Sequence, residues 1–454
     1  MTSEREAMRA RIVSSLGRRE LVWAGIRGDD IEPLKDVPQL SASFTITGAY
    51  AGRPDVNGVS YENITDVRVD PEVWDIDDHL DALATTEFRH GLLRALSAES
   101  ALLTYRPSSF LSAIHFARRD RCLNLGLFGA HQSAFEHKPF VESSVAELGL
   151  PHIPWTYIAD EEQVDVLELA THGPLVLRRS RTSGGEGFVR VERAEEVPSH
   201  RPKGDEAFVS VAPFIEGTVP VNVGATVWRN ARDEDCVTVH HPSVQLIGIE
   251  SCVTREFGYC GNDFGRMRHF PRSTIDQIEE STKTIGRWLR RYGYIGTFGV
   301  DFLVKDEVPL FTEVNPRFQG STAASCRLSV EKDEACLMLE HVASWLGLPK
   351  PREPALWDRV RATRDLSNLV VHWTGSEQSL VDAAALVDSI SEGEHMAMDA
   401  DSLVPRGVTS DPGSLVARLA LSRQITLSGG ELDTGLTNAI TRWTRESEQH
   451  EPAV

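Results

Sequence analysis

The chain has 454 residues, of which 25% are charged, and its formal net charge is −20. These values exclude a collagen-like, coiled-coil or wholly disordered protein, and the length predicts about three domains. The acidic balance argues against non-specific nucleic-acid binding and against docking on an anionic membrane, because both need a basic surface.

The first part of the chain predicts an α/β domain over residues 1–130. Its first twenty residues are charged and have a helical pattern. Strand-length apolar runs then alternate with helical segments, and these runs are 21–25, 101–105 and 123–127. Strands separated by helices are typical of α/β layer architectures.

The patterns that follow predict a second domain over 131–345 and a C-terminal α/β extension over 346–454. Between 131 and 345 the pattern gives strands and helices at 135–150, 174–191, 206–228, 274–292, 296–315 and 331–347. The extension predicts strands at Leu369–Trp373 and Gln424–Leu427, a helix from about residue 376 and a final helix. No internal repeat or low-complexity linker separates these parts.

The segment 299–322, GVDFLVKDEVPLFTEVNPRFQGST, carries the strongest chemical signal. Glu313 and Asn315 are two residues apart on one predicted strand, so their side chains share a face. A hairpin can bring Asp301 beside them, and hard oxygen ligands of this kind suit Mg²⁺. Arg317 follows immediately and could clamp a carboxylate or a transferring phosphoryl group. The alternative is a solvated hairpin with surface charges.

Other segments add features that suit a bound anion. Gly320 and Ser321 offer backbone N–H groups and a hydroxyl, and the Gly-rich segment 181–187 lets backbone amides approach phosphates closely. Lys138 and Arg178 could neutralise nucleotide phosphates. The alternatives are a solvent-exposed first-turn lysine for Lys138 and a structural salt bridge for Arg178. Arg255 lies in a loop-like stretch that is a candidate for the wall of the substrate pocket.

Taken in order, these features resemble the ATP-grasp superfamily. The resemblance covers about residues 115–345, and the EVNPR form of residues 313–317 is similar to the amino-acid and peptide ligase branch. It implies an ATP-grasp fold, preceded by a Rossmann-like α/β domain and followed by a C-terminal lobe. The nucleotide-binding subdomain would lie at about 150–215 and the metal-binding lobe at about 216–345. Arg178 departs from the usual second lysine of the family.

The resemblance also implies a role for each matched position. Arg317 would be catalytic, would bind the acyl phosphate and, with Gly320, Ser321 and Arg255, would contact the substrate. Asp301, Glu313 and Asn315 would hold Mg²⁺. The ATP-binding positions would be Lys138, Arg178, Ser183, Gly184, Gly185, Val211, Pro213 and Phe214.

The expected activity is that of a carboxylate–amine ligase in specialised metabolism. A substrate carboxylate would attack ATP to give an acyl phosphate and ADP, and an amine would then displace phosphate. The alternatives are an ATP-grasp carboxylase, a ligase of a non-amino-acid carboxylate, and a catalytically silent ATP-binding regulatory module. We expect small-molecule acid and amine substrates and consider a homodimer. Because no leader, membrane span or CxxC motif is visible, we expect a cytoplasmic protein with free thiols.

Overall fold

The computed structural model describes residues 3–65, 69, 74, 76–96, 98–127, 129–159, 173–180, 184–185, 187–193, 196, 208–394, 398–403 and 409–448. None of the helices in this described part is long and apolar enough to cross a membrane. All six cysteines lie in it, and each is a buried free thiol.

The N-terminal part is a parallel sheet with helices around it. Its strands are β1 (Glu20–Arg27), β2 (Leu40–Thr47), β3 (Asn57–Ser60), β4 (Ser100–Thr104) and β5 (Cys122–Asn124), in the order β3-β2-β1-β4-β5. Its helices are α1 (Glu4–Leu16), α2 (Tyr61–Thr65), α3 (Leu83–Ala95), α4 (Ser109–Ala117) and α5 (Gly129–Phe135). Helix α1 begins after Ser3, whose hydroxyl caps the Glu6 N–H, and it buries apolar residues four apart.

A small antiparallel sheet follows helix α6 (Lys138–Glu147). Its strands are β6 (Thr156–Ala159), β7 (Leu175–Arg178), β8 (Phe188–Val191) and β9 (Phe208–Pro213), in the order β6-β9-β7-β8. The Gly-rich segment joins β7 to β8, and its described residues Gly184, Gly185 and Gly187 all have positive φ. This left-handed backbone is the reason that glycine is needed there.

A larger antiparallel sheet positions the carboxylates of segment 299–322. Its first strands are β10 (Val219–Val227), β11 (Val237–Ile247), β12 (Tyr259–Asp263), β13 (Gly296–Lys305) and β14 (Val308–Asn315). The helices of this region are α7 (Arg272–Arg291), α8 (Thr322–Glu331), α9 (Leu337–Trp345) and α10 (Leu356–Ala362). Helix α7 buries one apolar face, including Ile278 and Ile285, in the same core as β10 and β13.

The C-terminal part continues this sheet. Its strands are β15 (Ser367–His372), β16 (Ser379–Leu380), β17 (Met398–Leu403), β18 (Thr409–Ser410) and β19 (Leu415–Leu421), and its helices are α11 (Ala383–Glu394) and α12 (Thr434–Glu448). Strand β15 pairs with β12, which gives the order β14-β13-β10-β11-β12-β15-β19-β17. The short strands β16 and β18 pair only with each other.

The strand prediction at Gln424–Leu427 is wrong, and β19 is the strand that this part of the chain contributes. The segment 424–427 is irregular because its backbone bonds elsewhere. The N–H of Ile425 donates to the buried carboxylate of Asp263 at 2.7 Å instead of to a neighbouring strand. The side chain of Leu427 is 68% exposed, so this apolar residue does not belong to a buried strand.

Candidate active site

The β13–β14 hairpin brings together the three residues assigned to the metal. Asp301 lies opposite Glu313 in the strand register, and Gly299 lies opposite Asn315. The Asn315 amide nitrogen is 2.9 Å from Asp301 Oδ2 and 3.1 Å from Glu313 Oε1. Asp306 and Glu307 at the turn both have positive φ, as a two-residue type I′ hairpin requires. The hairpin therefore places two carboxylates and one amide within contact of one another.

Strand β10 adds Asn222, a residue that the sequence analysis missed. Its amide nitrogen donates to Asp301 Oδ1, and its amide oxygen accepts a 2.7 Å hydrogen bond from the Ser321 hydroxyl. Asn222 thus links the hairpin to the anion-binding candidate at Ser321. The sequence feature that could have identified Asn222 is its position as the one amide side chain in the largely apolar run VPVNVGATV (219–227). A buried polar side chain in such a strand needs partners.

Lys138, the first residue of α6, supplies the positive charge at this hairpin. Its ammonium contacts Glu313 Oε2, and its side chain is 8% exposed. Burial lowers the pKa of Lys138, although Glu313 opposes that shift. Burial alone would raise the pKa of Glu313, but Lys138 and Arg178 outweigh it and hold that pKa below its usual range. Burial and the Glu313 charge raise the pKa of Asp301.

Arg178 at the end of β7 forms the structural salt bridge that its sequence position allowed. Its guanidinium contacts Glu142 of α6 and lies 4.0 Å from the ring centre of Trp155, and the side chain is 1% exposed. Burial lowers the pKa of Arg178 to about 9. Tyr157 donates a further 2.8 Å hydrogen bond to Glu142. Arg178 also lines the cavity described next, so pairing with Glu142 does not remove it from the site.

A cavity of about 600 Å³ connects the candidate site residues. Ala212, Pro213 and Phe214 line it at one end, where the resemblance places adenine. Val211, assigned to the same group, is buried inside the small sheet, where it pairs with β6 and β7, and it does not belong to the cavity wall. Gly184 and Gly185 line the cavity, whereas Ser183 lies outside the described residues.

The loop after β11 packs against the Gly-rich segment. Gly185 has φ +77°, and a Cβ there would lie 1.9 Å from the Phe257 carbonyl oxygen. The rings of Phe188 and Phe257 are 5.5 Å apart. Among the described residues of this loop, Glu256 and Phe257 line the cavity and Arg255 does not, so the substrate contact of Arg255 stays a prediction.

Arg317, Gly320 and Ser321 line the cavity next to the hairpin. The Arg317 guanidinium donates to the Phe318 carbonyl and to Asn315 Oδ1, each at 3.1 Å, and lies 3.9 Å from Glu136. These contacts fix its orientation.

Two further arginines of the cavity wall, Arg27 and Arg106, were missed by the sequence analysis. Arg27 is the last residue of β1, and Arg106 follows β4, and both strands belong to the parallel sheet. The carboxyl ends of parallel strands are common ligand sites, which is the signal that could have found them.

Comparison with known proteins identifies the fold around this cavity. Residues 147–321 match the family model of the ATP-grasp domain. The chain contains an ATP-grasp domain. Over 211 residues it is 21% identical to a formate-dependent phosphoribosylglycinamide formyltransferase from Prochlorococcus marinus, covering 45% of this chain. The match spans about half, 49%, of that curated relative.

Solved structures with the ATP-grasp fold cover nearly the whole chain. The N5-carboxyaminoimidazole synthase from Aspergillus clavatus, solved with ADP and 5-aminoimidazole ribonucleotide, aligns over 94% of this chain and 99% of its own with a TM-score of 0.59 and 11% identity. The biotin carboxylase from Campylobacter jejuni, solved with a β,γ-ATP ligand, aligns over 93% of this chain and 86% of its own, with a TM-score of 0.56 and 13% identity. The biotin carboxylase domain dimer of 2-oxoglutarate carboxylase from Hydrogenobacter thermophilus was solved with MgADP and bicarbonate. It aligns over 89% of this chain and 86% of its own, with a TM-score of 0.57 and 12% identity.

These comparisons confirm the predicted superfamily and fold. The parallel N-terminal sheet is the expected α/β domain before the ATP-grasp domain, and strands β15, β17 and β19 belong to the expected C-terminal lobe. The structural alignments establish the fold, and sequence identities of 10–15% are too low to select a substrate.

Proposed function

We propose that the protein is an ATP- and Mg²⁺-dependent ligase that joins a carboxylate to an amine through an acyl phosphate. The observation that carries this proposal is the placement of Asp301, Glu313 and Arg317 on the wall of one cavity. The same cavity reaches the hinge segment at Ala212–Phe214, where an adenine would lie. Nucleotide, acid and metal sites would thus share one cavity.

The donor set of the hairpin fits Mg²⁺. Two carboxylates lie side by side, and their mutual repulsion is offset in this structure by the Lys138 ammonium and the Asn315 amide nitrogen. Magnesium is usually held by one or two carboxylates together with substrate phosphates. Asp301 and Glu313 would hold it, and Asn315 would join them after its amide turned so that Oδ1, and not Nδ2, faced the carboxylates. The described residues contain no competing cluster of three His, Cys, Asp or Glu side chains. Bound Mg²⁺ would supply charge neutralisation at the phosphates.

The remaining chemistry consists of positioning and charge stabilisation by side chains. In the first step an oxygen of the substrate carboxylate bonds to the γ-phosphorus of ATP, and ADP leaves. The amine nitrogen then bonds to the acyl carbon, phosphate leaves, and the nitrogen loses a proton. Arg317 would bind the carboxylate and the transferring phosphoryl group, because its guanidinium is already oriented by Phe318 and Asn315.

An amino acid or small peptide is the substrate that we favour, and the support for it is the EVNPR form of residues 313–317. The second candidate is a carboxylase, in which bicarbonate takes the place of the organic acid. It is favoured by the structural similarity to biotin carboxylase and to N5-carboxyaminoimidazole synthase. A silent regulatory module is disfavoured because the chain retains Asp301, Glu313 and Arg317. We further propose a homodimer, as in the H. thermophilus neighbour.

The test is to measure ADP, AMP and phosphate separately with Mg²⁺ and ATP across acids and amines, singly and in pairs. ADP and phosphate that appear only with an acid and an amine together support the ligase, and ADP formed with bicarbonate supports the carboxylase. AMP and pyrophosphate would contradict the acyl-phosphate route. ATP binding without any turnover would favour the silent module.

Variants of one hairpin connect this activity to the site. We expect Glu313→Gln and Arg317→Ala each to lower kcat by at least about 100-fold, because the first removes a proposed Mg²⁺ ligand and the second removes a positive charge beside the transferring phosphoryl group. Glu307→Gln, at the exposed turn of the same hairpin, is the matched control and should keep full activity. Near-normal rates in Glu313→Gln and Arg317→Ala, with circular dichroism unchanged, would refute the site assignment.

A further inference from the structure

One part of the cavity is lined by residues of the N-terminal α/β domain, and we call this part the N-terminal chamber. It lies at the carboxyl ends of β1, β2 and β4, and its walls include Ile26, Phe44, Ile46, Trp74, Phe110 and Leu111. The side chains of Phe44 and Phe110 are almost completely buried, whereas Ile46 and Leu111 are partly exposed. The chamber is therefore a mainly apolar recess, with Ser108 as a polar residue of its wall, in the same cavity as the ATP-grasp residues.

Cationic side chains are the charged groups where this chamber meets the rest of the cavity. Arg27 ends β1 and is 5% exposed, and Arg106 follows β4. Burial lowers the pKa of Arg106, the Glu136 carboxylate raises it and the Arg317 charge lowers it, so the two guanidiniums lie close to each other and to Glu136. Among the described residues between 24 and 111 that line the cavity, none is acidic. An anion at this junction would meet Arg106 and Arg317 together.

We propose that the carboxylate substrate is a small acid with an aromatic or branched aliphatic group, and that this group occupies the N-terminal chamber. This inference rests on the proposed ligase function and assigns its substrate class. The acid's carboxylate would lie beside Arg106 and Arg317, next to the hairpin where the phosphoryl group is transferred. A hydrophobic amino acid or an arylalkanoic acid has this chemistry.

The same walls argue against a sugar phosphate in this position. A ribosyl group needs hydrogen-bond partners for its hydroxyls, and leaving them unpaired against aromatic and aliphatic side chains is unfavourable. The chamber therefore separates this chain from a structural neighbour that was solved with 5-aminoimidazole ribonucleotide. An acid without an apolar group would leave the chamber solvated and would lose the free energy of apolar burial. That loss corresponds to a decrease in kcat/KM on the order of 100-fold for a side chain the size of Phe or Leu.

Hydroxylamine makes the test independent of the natural amine. It attacks an acyl phosphate at the acyl carbon, so that phosphate leaves and a hydroxamate forms. We would measure ADP and hydroxamate with Mg²⁺, ATP and a panel that contains phenylalanine, leucine, 3-phenylpropionate, glycine, glutamate, acetate and bicarbonate, with 5-aminoimidazole ribonucleotide plus bicarbonate as a separate arm. The expected result is a preference of about 100-fold in kcat/KM for the aromatic and branched acids over glycine and acetate.

Substitutions at Ile46 locate that preference in the chamber. Ile46→Trp fills the recess and should abolish the preference while retaining turnover of small acids, and Ile46→Ala should shift it toward larger acids. Phe116→Ala, on the exposed side of the same helix that carries Phe110, is the control and should leave the preference unchanged. Using both Ile46 variants keeps the test informative if one of them fails to fold.

Each outcome separates this inference from the proposed function. Hydroxamate formed equally well from glycine, glutamate and phenylalanine, with no response to either Ile46 variant, would overturn the chamber assignment and leave the ligase standing. ADP formation that requires bicarbonate, with or without the ribonucleotide, would also overturn it and would support the carboxylase. Absence of ADP with every member of the panel would overturn the ligase proposal itself, and the substrate class with it.

Discussion

His341 in helix α9 makes the stability of this protein sensitive to acid, and the effect can be calculated. Its Nδ1 accepts the Thr297 N–H at 3.0 Å, and its Nε2–H donates to the Leu125 carbonyl at 2.8 Å. The bond from Thr297 requires the neutral ring, because a protonated Nδ1 would face an N–H donor. Burial lowers the pKa of His341 to about 4, with the Leu125 hydrogen bond opposing that shift. Folding therefore favours the uncharged form.

The sign and size of the effect follow from linkage. The unfolded chain protonates this histidine near its ordinary pKa of about 6.5, whereas the folded chain resists protonation down to about 4. Its contribution to stability is thus complete above pH 6.5 and is lost as the pH falls from 6.5 to 4. Between pH 7.5 and 5.0 the calculated loss is about 2 kcal/mol, of a maximum of about 3.4 kcal/mol.

The assay is urea unfolding at pH 7.5 and 5.0, followed by circular dichroism. His341→Gln cannot titrate, so its loss of unfolding free energy between the two pH values should be smaller than that of the wild type by about 2 kcal/mol. Comparing the two proteins cancels the contributions of other buried histidines such as His241. His152→Gln, at an exposed position, is the control. Equal pH dependence in wild type and His341→Gln would refute the reasoning.

Three further predictions concern the cavity. Lys138→Met removes the ammonium beside Glu313, whose side chain is 22% exposed, and near the buried Asp301. We expect a loss of stability of up to about 3 kcal/mol that excess Mg²⁺ partly restores. A melting temperature unaffected by Mg²⁺ would contradict this. Asn222→Ala removes a hydrogen-bond partner from Asp301 and from Ser321. The Mg²⁺ concentration for half-maximal ADP formation should therefore rise. An unchanged concentration would argue against the assignment of Asp301 to Mg²⁺. Gly185→Ala should lower kcat/KM for ATP by more than about 10-fold, because a Cβ there collides with the Phe257 backbone and the φ is left-handed. Wild-type kinetics in this variant would exclude a role for the contact between Gly185 and Phe257.

The part of the site that the sequence predicted is the part set by local geometry. Residues two apart on a strand share a face, and a short hairpin fixes the strand opposite, so Asp301, Glu313 and Asn315 could be placed together without knowing the rest of the fold. The Gly-rich segment was recognisable for a similar reason, since consecutive glycines mark backbone that other residues rarely adopt.

The residues that were missed depend on contacts between distant parts of the chain. Asn222 lies 79 positions before Asp301, and Arg106 is brought to Arg317 only by packing between two sheets. No local pattern specifies such pairs. The error at Gln424–Leu427 has the same origin, because an apolar run predicts a strand only if a neighbouring strand is available, and here the buried Asp263 carboxylate takes the backbone N–H.

The eight-stranded sheet has a consequence for how the polypeptide could be shortened or divided. Strand β12 of the central region has β15 as its outer neighbour, so a polypeptide that stopped after α9 would expose β12 as a bare edge. Exposed edges template aggregation. Arg418 in β19 also reaches the Gly320 carbonyl at 3.0 Å and Asp30 at 3.5 Å, so the last strands support both the turn at Gly320 and the segment that follows β1. Insertions or fusions are therefore best tolerated outside the span from β10 to β19, and truncation within it should yield insoluble protein.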